Sequence, residues 1–157
     1  MNTLLKLLER NARMPLEQLA AAAGLSIEKT AEALDSLEAQ GAIKGYTALV
    51  DWDKTKYDCV TARIEVKVLL DRKTGFDDVC EKMASFEEVQ SVFLMSGSYD
   101  IALTVSGKTF KEVAMFVASR LSPMDAVQST STSFVLRKYK ERGFLYRRET
   151  DEREVNA

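Results

Sequence analysis

Histidine is absent from the 157-residue sequence, proline and cysteine occur twice each, and tryptophan once. The missing histidine removes Ser-His-Asp and Cys-His nucleophilic sites, His-ligated zinc and proximal-His haem. Cys59 and Cys80 lie far apart without a Cys-x-x-Cys spacing, so they read as core cysteines of a cytoplasmic chain. No metal and no cofactor are expected. No apolar run is long enough to cross a bilayer, so no membrane role is expected. The opening MNTLLKLLERNARM is interrupted by Glu9, Arg10 and Arg13 and lacks a small-residue cleavage site, which argues against a secretory signal. Positive charge is scarce too. A net charge of −2 gives no global attraction to phosphate, so any nucleic-acid contact must come from local patches.

What is present suits one ordinary domain or two small ones: 46% of residues are hydrophobic and 29% charged, the balance of a soluble globular protein. Leucines at 4, 5, 7 and 8 form the stripe of an amphipathic helix over 3–10. Asn11 to Met14 breaks that pattern, and Pro15 suits the first turn of a second helix that runs to about Ala22. Gly24 ends it. Ser26 caps a third helix, Glu28 favours the positive end of its dipole, and Gly41 stops it. Ile27, Leu34 and Leu37 are its expected core residues. Helix, short helix, glycine turn and helix within about forty residues is the helix-turn-helix plan. Residues 42–50 then read as a short strand or wing.

The second half has a different rhythm. Val60 to Leu70 alternates as a strand, with Ala62, Ile64, Val66 and Val68 on one face. Gly75–Ala84 is helical, Val89–Met95 and Tyr99–Val105 are strands about a Ser96-Gly97-Ser98 turn, Phe110–Leu121 is helical, and Ala126–Tyr139 is a long last strand. The order βαββαβ is the ferredoxin-like arrangement, so the fold class is α+β. The expected domains are 1–45, a linking strand over 46–58, a ferredoxin-like domain over 59–140, and a charged, frayed tail over 141–157.

Two motifs carry a family resemblance. Leu37-Glu38-Ala39-Gln40-Gly41-Ala42-Ile43-Lys44-Gly45-Tyr46 resembles the LExxGxIxGY exit from the Lrp/AsnC winged helix. Phe93-Leu94-Met95-Ser96-Gly97-Ser98-Tyr99-Asp100 resembles that family's hydrophobic-hydrophobic-x-[ST]-G-x-[YF]-D signature. The resemblance covers about residues 3–140. It implies an N-terminal winged helix-turn-helix followed by a RAM-type, effector-binding and oligomerisation domain. It also implies a transcriptional regulator that binds double-stranded operator DNA as a homodimer, assembles further, commonly to an octamer, and responds to amino acids. The family's leading LDxxDxxIL run is cut short here. Where typical members place Arg and Lys on the reading helix, this sequence has Glu32, Ala33, Asp35, Ser36 and Ala39.

The candidate DNA-contacting residues are Ser26, Glu28, Lys29, Thr30, Glu32, Ala33 and Lys44, gathered at the start, the outer face and the exit of the third helix. Over 26–41 one lysine faces four carboxylates, a charge of −3, and over 1–57 seven basic residues face eight acidic ones. Carboxylates repel the phosphate backbone, although Glu or Asp can accept from cytosine N4. The basic run 137–142 reads either as a phosphate patch or as edge-strand charge that deters aggregation.

The Ser96-Gly97-Ser98 turn exposes backbone N–H groups beside the Asp100 carboxylate, a combination able to hold the two charges of an amino acid. The resemblance places the effector pocket at this turn, where subunits meet, and assigns it Ser96, Gly97, Tyr99 and Asp100. Gln128, Thr130 and Thr132 of the last strand are the expected opposing wall. Two rivals stand beside the regulator reading. Sirohaem decarboxylases resemble this two-domain plan, but they are expected to use histidine, so no enzyme is expected. The other is an effector-binding or assembly protein of the same family whose DNA binding is weak or lost.

Overall fold

A computed structural model of the chain describes residues 2–70 and 75–146, in two compact units, 1–50 and 51–157. The first unit holds three helices, α1 (Asn2–Arg10), α2 (Leu16–Ala23) and α3 (Ile27–Ala39). Its core is Leu4, Leu19, Ala20, Thr30 and Leu37. Pro15 sits just before α2 rather than inside its first turn, with its carbonyl accepting the Leu19 N–H at 2.9 Å.

Both glycine turns close in the same way. The Leu25 and Gly24 N–H groups reach the Ala20 and Ala21 carbonyls at 3.0 and 3.2 Å; those of Ala42 and Gly41 reach Leu37 and Glu38, both at 2.9 Å. These paired bonds satisfy carbonyls that a helix end would otherwise orphan, and they demand the positive φ found at Gly24 (68°) and Gly41 (69°).

One core assignment shifts. Ile27, expected inside, is 44% exposed and Leu34 is half-buried, whereas Thr30 is fully buried. A polar side chain is admitted there because its hydroxyl donates to the Ser26 carbonyl at 2.8 Å, so burial leaves nothing unpaired. Residues 42–50, expected as a strand or wing, form no strand. A single extended segment needs a neighbour to complete its ladder, and no described strand of the first unit supplies one.

In the second unit a 3₁₀ turn (Trp52–Lys54) precedes β1 (Val60–Val68), α4 (Phe76–Ala84), β2 (Val89–Leu94), β3 (Ile101–Gly107), α5 (Phe110–Phe116) and β4 (Val127–Phe134). The sheet order is β2-β3-β1-β4 with antiparallel neighbours, the ferredoxin-like βαββαβ topology. Ala62, Ile64, Val66 and Val68 alternate into the core and meet Ile101, Leu103 and Val105 of β3 with Val79, Met83, Val113, Phe116 and Leu121 of the helical layer. Arg63, Glu65 and Lys67 point the other way, opposite Ser133, Ser131 and Ser129.

Two elements are shorter than the sequence suggests. The helix expected to run to Leu121 is α-helical only to Phe116, then widens into a π-helical turn, Val117–Leu121, in which the Ser122 N–H bonds the Val117 carbonyl at 2.8 Å. The last strand stops at Phe134, opposite Ala62 and two residues short of the start of β1; beyond it the Val135 N–H still reaches the Thr61 carbonyl at 2.9 Å. The charged segment expected from 141 opens with a hairpin, β5 (Lys140–Glu141) and β6 (Phe144–Leu145), turned by Arg142 (φ 47°) and Gly143 (φ 88°). Residues 147–157, the rest of the expected tail, lie outside the described residues.

Gly41 and Gly45 separate torsional need from mere proximity to the helix exit. Gly41→Ala forces a side chain into the left-handed region and should lower stability by about 1–2 kcal/mol. Gly45 lies outside positive φ, and a Cβ added there would meet nothing within 4 Å, so Gly45→Ala should stay within about 0.5 kcal/mol. Urea denaturation followed by far-UV circular dichroism measures both; equal losses would reject the torsional account.

Candidate functional site

At the start of α3 the Ser26 hydroxyl accepts the Lys29 N–H at 3.2 Å, so this side chain is engaged in capping the helix. Glu28 lies beside it, and its carboxyl is held below the usual range by its own backbone N–H and then by the Ser26 hydroxyl. An ionised carboxylate therefore occupies the positive end of the helix, a position that favours anions. Lys29 and Glu32 are exposed and Ala33 is half-buried. Thr30 does not reach the surface, and its hydroxyl is tied to Ser26, so it cannot contact DNA. Lys44 folds back over the α3 exit, its ammonium 3.1 Å from where a Gly41 side chain would begin.

The exit motif also holds a pair that sequence reasoning misses. The Tyr46 hydroxyl donates to Glu38 Oε1 at 2.7 Å, and this bond to a carboxylate raises the phenol's pKa. The E and Y of LExxGxIxGY are thus the two ends of one hydrogen bond, with buried Leu37 and left-handed Gly41 beside them.

In the second unit the β2–β3 turn is closed by the Met95 N–H on the Asp100 carbonyl at 2.8 Å. Ser96 and Gly97 are exposed, and Tyr99 is half-buried. Gly97 is not in the left-handed region; its value is the open space above it, with nothing within 4 Å of a Cβ. Asp100 departs from expectation. Its Oδ1 accepts from Lys67 Nζ and its Oδ2 from the Val68 N–H, both at 3.0 Å, while its own N–H reaches the Val66 carbonyl at 3.0 Å. The carboxylate expected to meet a ligand's ammonium instead clasps the turn to β1. Sequence reasoning misses Lys67 because it lies 33 residues away; its one signal is its place on the polar side of the β1 alternation.

The expected opposing wall lies on the far side of β1. Thr130 pairs with Val66 and Thr132 with Ile64, so both lie on the core-facing side of the sheet, Thr130 half-buried and Thr132 exposed, and Thr132 is two residues farther from the turn. Gln128 falls where the β1–β4 register shifts, opposite Lys67 and Val68, and is exposed. One chain therefore brings Asp100 and Thr130 to neighbouring strands across Val66, but does not set the turn and β4 face to face. The basic run 137–142 folds back on itself, with Lys138 paired to Glu141 at 3.0 Å. Among the described residues, no three His, Cys, Asp or Glu side chains converge as metal ligands, and no helix is long and apolar enough to cross a membrane.

A capped helix-turn-helix joined to a βαββαβ domain with an exposed, clasped turn defines a two-domain DNA-binding regulator with a ligand-binding module. Residues 3–44 match the winged helix-turn-helix DNA-binding family and residues 61–145 the Lrp/AsnC ligand binding domain. The chain is 40% identical over 153 residues to the uncharacterized HTH-type transcriptional regulator YugG of Bacillus subtilis, covering 97% of this chain and 92% of that one. It is 28% identical over 129 residues to the regulatory protein AsnC of Haemophilus influenzae, covering 82% and 84%. Among solved structures it resembles the transcriptional regulator NMB0573 of Neisseria meningitidis, a complex with L-Met, at TM-score 0.69 and 26% identity over 88% of this chain and 89% of that one. The chain belongs to the Lrp/AsnC family, and it is a transcriptional regulator.

The Asp100 clasp has a pH signature. Its carboxyl sits below the ordinary value of 3.8, chiefly through the Val68 N–H and then Lys67. A depressed folded-state pKa stabilises above the unfolded value and is lost as pH falls through the folded one. Asp100→Asn should therefore be less stable than the parent at pH 7, with the gap closing as pH drops below 3.8. Urea midpoints at neutral pH and well below that value check this, and a gap unchanged with pH would show that the carboxylate charge is not what holds the turn.

Proposed function

We propose that the chain binds double-stranded operator DNA as a cytoplasmic homodimer that assembles further, and that an amino acid or related small metabolite at the 96–100 turn tunes that binding without catalysis. The observation that carries the reading is the pairing of a helix-turn-helix, capped by Ser26 and closed by Gly41, with an Lrp/AsnC ligand-binding domain in one chain. The L-Met complex of the Neisseria meningitidis relative supports an amino-acid effector. Assembly is supported by apolar surface that a lone chain leaves uncovered, with Phe93, Leu94 and Met95 each about half exposed beside the turn.

Ser26, Glu28, Lys29, Glu32, Ala33 and Lys44 are the DNA-facing set, with Thr30 removed from it. Lys29 alone offers a phosphate a cation from α3, while Glu28 and Glu32 oppose it. Affinity from one such helix is weak, and linking two or more in an assembly raises it by about 10²–10⁴-fold where spacing allows. Anisotropy titrations with the chain's own upstream DNA across a salt series provide the test. Lys29→Ala should weaken binding and reduce the salt slope by about 1. Glu28→Gln with Glu32→Gln should tighten it, most at low salt. Absence of sequence-selective binding at low salt by assembled protein favours the rival reading, in which the family fold persists without its DNA function.

For the effector, the open space over Gly97 is the point to block. Gly97→Leu places its Cβ where no atom lies within 4 Å and meets no torsional penalty, so the protein should fold. L-leucine and L-methionine should change the parent's DNA affinity and leave that of Gly97→Leu unaltered. An unchanged response in the variant would move the effector elsewhere.

A further inference from the structure

A second cleft lies away from the 96–100 turn, between α5 with its π-turn and the far end of β3. It encloses about 320 Å³, the size range of small-ligand sites, over a floor of Val105, Val113 and Phe116. All three floor residues are buried, and Met115 beside them is 55% exposed, an adaptable apolar lip. The close fit of α5 here depends on Gly107, where a Cβ would stand 3.2 Å from Val113 Cγ2.

The rim carries charges of both signs. Arg120 Nη1 donates to Glu88 Oε1 and Oε2 at 2.9 and 3.2 Å, and its guanidinium lies over the Phe86 ring at 4.6 Å. Glu88 is anchored in turn, its carbonyl accepting the Ser106 N–H at 3.0 Å. Arg120 is the fourth residue of the π-turn, Val117–Leu121. Only one terminal nitrogen of the fork is engaged among the described residues, so its remaining N–H groups are available to a second carboxylate. The cleft's other carboxylate, Glu112, is committed to the α5 start, accepting the Lys108 N–H at 2.7 Å.

A carboxylate paired beside a guanidinium, above an apolar floor, is the complement of a zwitterion with a hydrocarbon side chain. We propose that this cleft binds an apolar α-amino acid within a single subunit, its carboxylate on Arg120, its ammonium on Glu88 and its side chain over Val105, Val113 and Phe116. This site is separate from the 96–100 turn and stands whether or not that turn is the effector site.

Isothermal titration of the full chain with L-leucine tests it in the Gly97→Leu background, where the turn is blocked. Saturable binding should persist there. Arg120→Gln and Glu88→Gln should each weaken it by at least about tenfold, with Arg120→Lys intermediate. 4-Methylpentanoate, which lacks the ammonium, and isoamylamine, which lacks the carboxylate, should bind at least about tenfold more weakly than leucine. Ser119→Phe, which fills the cleft and spares the ion pair, should abolish binding with the circular dichroism unchanged, and so covers the case in which a charge variant fails to fold. No binding in Gly97→Leu, parental affinity in Ser119→Phe or in the folded charge variants, or equal binding of leucine and its two analogues would each overturn the proposal.

Discussion

The second unit is organised by the alternation of β1. This strand pairs with β3 on one side and β4 on the other, and its Ala62, Ile64 and Val66 are fully buried between sheet and helices. Because side chains alternate with a period of two, the same strand turns Arg63, Glu65 and Lys67 to the opposite face. A slip of one residue would exchange the two sets, burying three charges, so the register is strongly specified. The register then decides what the turn at 96–100 can be. Lys67 ends the polar row, Val68 ends the apolar one, and Asp100 holds both. The turn cannot move without freeing a carboxylate, an ammonium and a backbone N–H together, so a ligand seated on it would act directly on the end of β1, a central strand.

The first unit rests on different physics. It has few buried side chains, and its helix ends are set by torsion and capping: left-handed glycines at 24 and 41, the Ser26 cap, and the Glu38–Tyr46 bond. Of these only the Glu38–Tyr46 bond uses one of the helix's carboxylates. A reading helix can therefore become acidic and keep its fold, because apart from Ser26 the residues that shape its ends are not in the proposed DNA-facing set. Glu28 shows the consequence at one residue. The positive end of α3 stabilises its carboxylate, which makes the helix start better and the anion seat worse in the same stroke.

These physical differences explain how much is legible in the sequence. Helix boundaries and the βαββαβ order follow from glycine, serine and apolar spacing, all local signals, and apart from the α5 end at Phe116 the helix boundaries match the structure to within a few residues. Thr30 reads as a surface contact because a hydrophobicity pattern prefers Ile27; only the bond to the Ser26 carbonyl makes threonine a good interior residue. The sequence overstates β4 because its end is set by pairing with β1, which stops at Ala62 opposite Phe134, and no local pattern marks that limit. Asp100 is marked out by its motif, but its chemistry is hidden, since Lys67 and Val68 reach it only through the sheet. The faces of Thr130 and Thr132 likewise follow from register with Val66 and Ile64, which no local pattern supplies.

In the assembly proposed above, an acidic reading helix would change where control resides. With one cation on α3, affinity in that assembly would depend less on a single subunit's contacts than on how many subunits engage at once. Effective concentration rewards correct geometry steeply and is lost when geometry fails. A ligand then needs only to favour one arrangement of subunits over another, and coupling of about 1–3 kcal/mol shifts such an equilibrium roughly 5- to 150-fold. A strongly basic helix would bind DNA in any arrangement and blunt that response. Weak contacts at Lys29 are in this sense what would let the second unit govern the first.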